Sequence, residues 1–266
     1  MDTNYYFPFG QKLTKVQQGD TTPDKEVFVL GVYASAVHAK WIGKDGVLKV
    51  QALAVASEPE IFWTGNNTEE IIAGIYVPEE MGTLIPANKN LNGPSGIALD
   101  ELFLKPLGFI REQAWLCDLL PESRVNTNQK NAVTIYNEIV QRNTFDLSIA
   151  TIPDFDEKEL KINSEKRKDE ILEELEASGA KTIILLGDLP VRWFLHFFDK
   201  RKRLSDFEGY GMKHEIEINK ITYTVIPLCH PRNAARLGAF SKKWAELHDE
   251  WVREKSCLKE SIYKII

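Results

Sequence analysis

Cysteine is scarce in this chain, and what there is stands apart. Cys117, Cys229 and Cys257 are the only three among 266 residues, with no CxxC spacing. Three thiolates cannot complete a four-cysteine iron–sulfur site, and a tetrahedral zinc site would need a histidine as fourth ligand. No metal, iron–sulfur cluster or other cofactor is therefore expected. An odd, low count also argues against a secreted disulfide scaffold. No apolar run approaches the 18 residues of a membrane span, and MDTNYYFPFGQKL lacks a signal-peptide core. The expectation is a cytoplasmic protein without a membrane partner.

An excess of positive charge is also missing. The formal net charge is −6, which weighs against nucleic acid as a partner unless basic residues gather on one face. Apolar residues, by contrast, are plentiful. They make up 43% of the chain and include six tryptophans and thirteen phenylalanines, enough for a substantial core and against disorder.

The apolar runs at 27–32, 50–56, 114–117, 182–186 and 223–228 read as strands, and continuous runs suit strands covered on both faces. The first two runs, 27–32 and 50–56, with the turn signal 43–46 between them, are a hairpin or two neighbouring strands. Residues 57–95 are rich in proline and glycine and read as a long loop that is functional or carries short helices. Helices are expected near 95–108, 128–141 (Ala132, Ile135, Tyr136 and Ile139 inward), from a Ser164 N-cap to Gly179, after Gly187, and over 233–254. Strands alternating with helices give an α/β fold with a central, mostly parallel, four-stranded sheet in a single domain spanning 1–266. Its reactive edge is the carboxyl end of the strands, where segments 33–38, 118–124 and 230–236 emerge.

Those three segments, in that order, resemble the uracil-DNA glycosylase superfamily. VFVLGVYAS stands where that family has a strand, a glycine and a short loop. PLCHPRNAARLG resembles its His-Pro motif, and ILLGDLPVRWFL its preceding strand and helix. Asn92-Gly93-Pro94-Ser95-Gly96, then Leu99-Asp100-Glu101-Leu102 and Leu107-Gly108, are similar to the thermostable bacterial members. The resemblance implies a three-layer α/β/α fold. It also implies a hydrolase that cleaves the N-glycosidic bond of a damaged or deaminated base flipped out of DNA, as in base-excision repair. Its site would lie between the segments around Gly31 and His230, with Gly31, Val32, Tyr33, Ser35, Leu91 and Arg232 contacting the base or sugar.

The departures are specific. Tyr33 occupies the position of one branch's catalytic aspartate and Val32 that of another branch's glutamate. Leu91 replaces a base-stacking phenylalanine, Asp118 the asparagine that reads uracil, and Ala234 the wedge, a role left to Leu237.

His230 ends a strand before a helix and is placed to donate to a leaving base; the alternative is a buried histidine satisfying a backbone group. Asp118 pairs with base N–H groups but repels carbonyls, which points away from uracil; alternatively it caps a loop before Pro121. Tyr33 is a stacking ring or a half-buried aromatic. Ser35 without a G-x-S-x-G elbow is a loop residue rather than a nucleophile. Arg124, Arg232, Arg236, Lys242, Lys243 and the 200–203 tract make a basic rim for DNA, or, for that tract above all, a solvated face. The competing function is a non-catalytic protein of the same fold that binds nucleic acid, a free base or a nucleotide.

Overall fold

The longest β-branched and leucine-rich runs of the sequence form the inner strands of the larger sheet. In the computed structural model, residues 5–143, 147–237 and 241–263 are described, with side chains for all but 162–164 and 256–263. The chain divides into two compact units, each assembled from three segments. The first comprises Met1–Gln17, Tyr33–Pro94 and Leu120–Asp156; the second comprises Gln18–Val32, Ser95–Leu119 and Glu157–Ile266.

The second unit holds an α/β sheet of five strands rather than four. Its members are β1 (Val27–Tyr33), β5 (Ala114–Leu120), β6 (Thr182–Leu186), β7 (His214–Ile218) and β8 (Ile221–Leu228), in the order β5-β1-β6-β8-β7. The last residues of β1 and β5, Tyr33 and Leu120, belong to the first unit. β1 pairs with β6, and β6 with β8, in parallel. β7 is the strand that apolar runs did not announce: its HEIEI alternates, burying only Ile216 and Ile218. It joins β8 antiparallel through Asn219-Lys220, both at positive φ (50° and 66°), the backbone of a two-residue hairpin turn.

Helices of this unit include α5 (Glu157–Ser178), α6 (Asp188–Trp193), α7 (Pro231–Ala234) and α8 (Lys242–Tyr263). Two expectations are corrected here. α5 starts seven residues before Ser164, which lies inside it. The helix expected over 233–254 is two helices, broken where Arg236 takes φ 58°. The segment 94–107 is continuous but changes pitch, from α2 (Pro94–Ala98) through a π turn (Leu99–Leu104) to α3 (Lys105–Leu107).

The runs 27–32 and 50–56 are neither a hairpin nor neighbouring strands: the first is β1 of the larger sheet, and the second belongs to a three-stranded sheet, where the hairpin across the 43–46 turn is made with a strand read as loop. β2 (Ala36–Ile42) pairs antiparallel with β3 (Leu48–Ser57) on one side and β4 (Thr83–Pro86) on the other. The long loop carries α1 (Thr68–Ala73) as well as β4. α4 (Thr127–Arg142) is capped by Asn126, whose carboxamide accepts from the N–H of Asn128 and of Gln129 (3.0 and 3.1 Å). Its buried stripe is Ala132, Val133, Tyr136 and Val140, while Ile135 is exposed. Phe9, Trp41 and Tyr136 meet edge-on with ring centroids 5.0 to 5.8 Å apart. Their polar atoms are not stranded: Tyr136 Oη accepts from the Phe9 N–H (2.9 Å) and Trp41 Nε1 donates to the Met81 carbonyl (2.6 Å).

Candidate active site

Parallel pairing brings the strand ends of the second unit to one edge. Leu30 is paired with Leu185 and Leu186 with Leu228, so Gly187 and Cys229-His230 leave the sheet at neighbouring levels, with Gly31 still inside β1 one residue past Leu30. The Gly187 N–H donates to the Leu228 carbonyl (2.8 Å), holding the β6 and β8 ends together. Gly187 has φ 97°, a backbone that a side chain would strain, and it turns the chain directly into α6. Its Cα faces the Cβ of His230.

His230 is the N-cap of α7. Its Nδ1 accepts from the Arg232 main-chain N–H at 3.2 Å, so the ring proton sits on Nε2. Burial, followed by the positive charge of Arg232, lowers its pKa to about 4. The ring is therefore a neutral Nε2–H donor at physiological pH. That is the state suited to stabilising negative charge that develops on a substrate oxygen.

A chain of hydrogen bonds positions the residue before it. The Cys229 N–H donates to Tyr210 Oη (3.1 Å), and the Tyr210 hydroxyl donates to His248 Nδ1 (2.7 Å). His248 Nε2–H then donates to the Leu102 carbonyl in the π turn (2.8 Å). Phe103 and Trp251 flank the His248 ring at 4.2 and 5.1 Å. Burial raises the Tyr210 hydroxyl well above its ordinary pKa and pushes the Cys229 thiol up to about 11, so neither ionises near neutrality. Sequence reading missed this network, because its members lie 19 to 146 residues apart.

Asp118 lies within β5, not in a loop, which removes the loop-capping reading. The Glu26 N–H donates to the Gln113 carbonyl (2.9 Å); five residues further along each strand stand Gly31 and Asp118. The Asp118 carbonyl accepts twice from the Arg167 guanidinium, at 2.7 and 3.2 Å. Arg167 also meets Cys117 Sγ (3.2 Å) and pairs with Glu174 and Glu170. Since Cys117 faces α5, strand alternation sends the buried Asp118 carboxylate to the opposite face of the sheet.

Three expected site residues, Tyr33, Ser35 and Leu91, belong to the first unit. Tyr33 stacks on Phe155 (5.1 Å, 29°). The Ser35 N–H donates to Glu58 Oε2 (3.2 Å), and its carbonyl accepts from the Ser123 hydroxyl (2.5 Å). Leu91 is 37% exposed and sits in a 3₁₀ turn. That turn is anchored by His38, which is a strand residue of β2 and not part of a reactive loop. His38 Nδ1–H donates to the Leu91 carbonyl (3.1 Å), its Nε2 accepts from the Gln129 amide (2.8 Å), and its main chain is clamped by Asn92 (2.8 and 2.9 Å).

Glu58, absent from the sequence reading, is buried against this first loop. Burial raises its pKa to about 8; the Ser35 bond opposes the shift and Glu60 reinforces it. An acid directly after an apolar strand and before Pro59 was the available signal.

Two residues of the expected basic rim, Arg124 and Arg236, are engaged within the fold. Arg124 is buried, with Nη1 donating to the Glu122 and Ser123 carbonyls (3.2 Å each). Arg236 is paired with Asp249 (2.5 Å). Arg232 is exposed and donates to the Leu237 carbonyl (3.3 Å); Leu237 is half-buried outside any helix. Among the described residues no three His, Cys, Asp or Glu side chains gather to hold a metal ion, and no helix is long and apolar enough to cross a membrane. No protein-family model and no curated protein matches the chain.

Proposed function

We propose that this chain is a nucleobase N-glycosidic hydrolase of the uracil-DNA glycosylase kind, acting on a damaged or deaminated base flipped out of DNA. The observation that carries this reading is His230. It is a neutral Nε2–H donor at a helix N-cap, on the carboxyl edge of the parallel sheet, next to the Gly187 turn. In this reading β5-β1-β6-β8 is the four-stranded centre of a three-layer α/β/α fold, and β7 is an addition. N-glycosidic cleavage leaves negative charge on the departing base, and a fixed N–H donor aimed at its oxygen lowers that barrier. Gly31 and Val32 lie near the end of β1, which is separated from β8 by β6, and the glycine is the residue that allows close backbone approach to a base. Asp118 favours a base edge that offers two N–H groups over the imide of uracil.

The test is excision from duplexes and single strands bearing uracil, hypoxanthine, xanthine or alkylated bases, with native protein and His230→Ala. Abasic sites from the native form alone support the reading. Binding without cleavage of any base rejects it in favour of a non-catalytic nucleic-acid or nucleotide binder. That second reading is favoured by one observation: Tyr33, at the family's carboxylate position, is an aromatic stacked on Phe155.

A further inference from the structure

The 200–203 tract, Lys-Arg-Lys-Arg, has the composition of a solvated run that repels itself and moves freely. In the structure its main chain is pinned. Four consecutive N–H groups each donate to a carboxylate. Arg201 donates to Asp199 (2.9 Å), Lys202 and Arg203 to Asp206 (2.9 and 3.1 Å), and Leu204 to Asp188 (2.8 Å). Asp188 is the first residue of α6, immediately after Gly187, so the tract is tied to the sheet edge that carries His230.

The acidic groups here accept from backbone N–H groups, and among the described residues only the Arg201 head of the tract is ion-paired. Lys200, Lys202 and Arg203 are exposed and have no ion-pair or hydrogen-bond partner for their side chains among the described residues. Arg201 is the anchor: its Nε meets Asp199 (3.0 Å) and its guanidinium lies 4.6 Å over the Phe207 ring. Beside the tract is a cavity of about 540 Å³ walled by His196, Phe198, Asp199, Lys200 and Arg201. His196 Nδ1–H donates to the Asp199 carbonyl (3.1 Å), and its Nε2 has no partner among the described residues.

We propose that this pinned loop and its cavity bind the phosphodiester backbone of a nucleic-acid strand. Three exposed cationic side chains on a pinned main chain, with no ion pair among the described residues, offer successive contacts to the phosphates of a polyanion. The Phe198 wall of the open recess offers a stacking surface to the aromatic bases of a strand, which lipid headgroups lack. The inference deepens the glycosylase reading by assigning its DNA-backbone contact, yet it is tested by binding alone.

The experiment compares native protein with the Lys200→Gln/Lys202→Gln/Arg203→Gln variant, and with the single Lys202→Gln variant should the triple one unfold. Binding to lesion-free single-stranded and duplex DNA is followed by fluorescence anisotropy across a salt series. Three phosphate contacts give a salt slope of about 2.7 on duplex, so a four-fold rise in salt weakens native binding by about 40-fold through these residues. The triple variant loses that part of the slope, while Lys213→Gln/Lys220→Gln, exposed lysines of the same unit, leaves it intact. Equal slopes for native and triple variant overturn the proposal. So does binding only to phosphatidylserine-rich vesicles, or no nucleic-acid binding at all. If excision persists while slopes are equal, the loop assignment falls and the glycosylase reading stands. If the slope falls and no base is excised, the reverse holds.

Discussion

The main-chain N–H of Arg232 donates to His230 Nδ1 across 3.2 Å, and that bond decides which ring nitrogen carries the proton. A neutral Nε2–H imidazole is the expected resting state. Nitrogen-15 NMR of labelled histidine should show the Nε2–H form at neutral pH, with a midpoint near 4 rather than the ordinary 6.5. His230→Ala is expected to lower excision by roughly 100- to 1,000-fold, as removal of a fixed oxyanion donor does.

The same residue contributes a pH-dependent stability of known sign. The folded pKa of about 4 lies below the unfolded 6.5, so acid protonates the unfolded chain first. The contribution is complete above pH 6.5 and declines as the pH falls toward 4, by roughly 2 to 3 kcal/mol. Urea denaturation of native protein and His230→Gln should diverge in that window; parallel curves would contradict the assignment.

Glu58 has the opposite sign. Its folded pKa of about 8 lies above the unfolded 4.5, so its contribution is complete below pH 4.5 and is lost as the pH rises through 8. Glu58→Gln keeps an acceptor for the Ser35 N–H and removes the ionisation. The variant should therefore gain stability relative to native between pH 4.5 and 8, read from thermal midpoints at the two ends.

Tyr210→Phe strands two buried groups, the Cys229 N–H and His248 Nδ1, at about 1 to 3 kcal/mol each. Because the hydroxyl links them, His248→Gln and Tyr210→Phe should combine to less than the sum of their separate losses. Additive losses in denaturant would show the three groups acting independently.

Arg167→Met should cost about 3 to 5 kcal/mol, since Glu170 and Glu174 lose their buried partner and the Asp118 carbonyl loses both donors. Adding Glu174→Gln to that variant should restore part of the loss. Failure to do so would place the cost in packing rather than charge.

Much of the strand framework was legible, for a physical reason. Runs such as Val27–Leu30 and Ile183–Leu186 are apolar at every position because both faces of a parallel strand are covered. β7 escaped notice because an edge strand buries alternate residues only, and five residues of alternation are a weak signal. β2 was read as a loop because AVHAKWI places a histidine inside the strand. The Leu91 carbonyl and the Gln129 amide, 53 and 91 residues away, bond both ring nitrogens and so offset the cost of that burial.

His230 was legible as a strand end before a proline, since Pro231 at the first helical position and an acceptor at the N-cap are local requirements. The sequence also determined which side chains were available at the strand ends. The tertiary structure decided their states. It buried Glu58, paired Arg236, enclosed Arg124, and pinned the 200–203 tract while leaving three of its heads without a partner among the described residues. The reason is that conformation near a residue follows from its neighbours in the chain, whereas proton affinity and net charge follow from whatever distant segments pack around it.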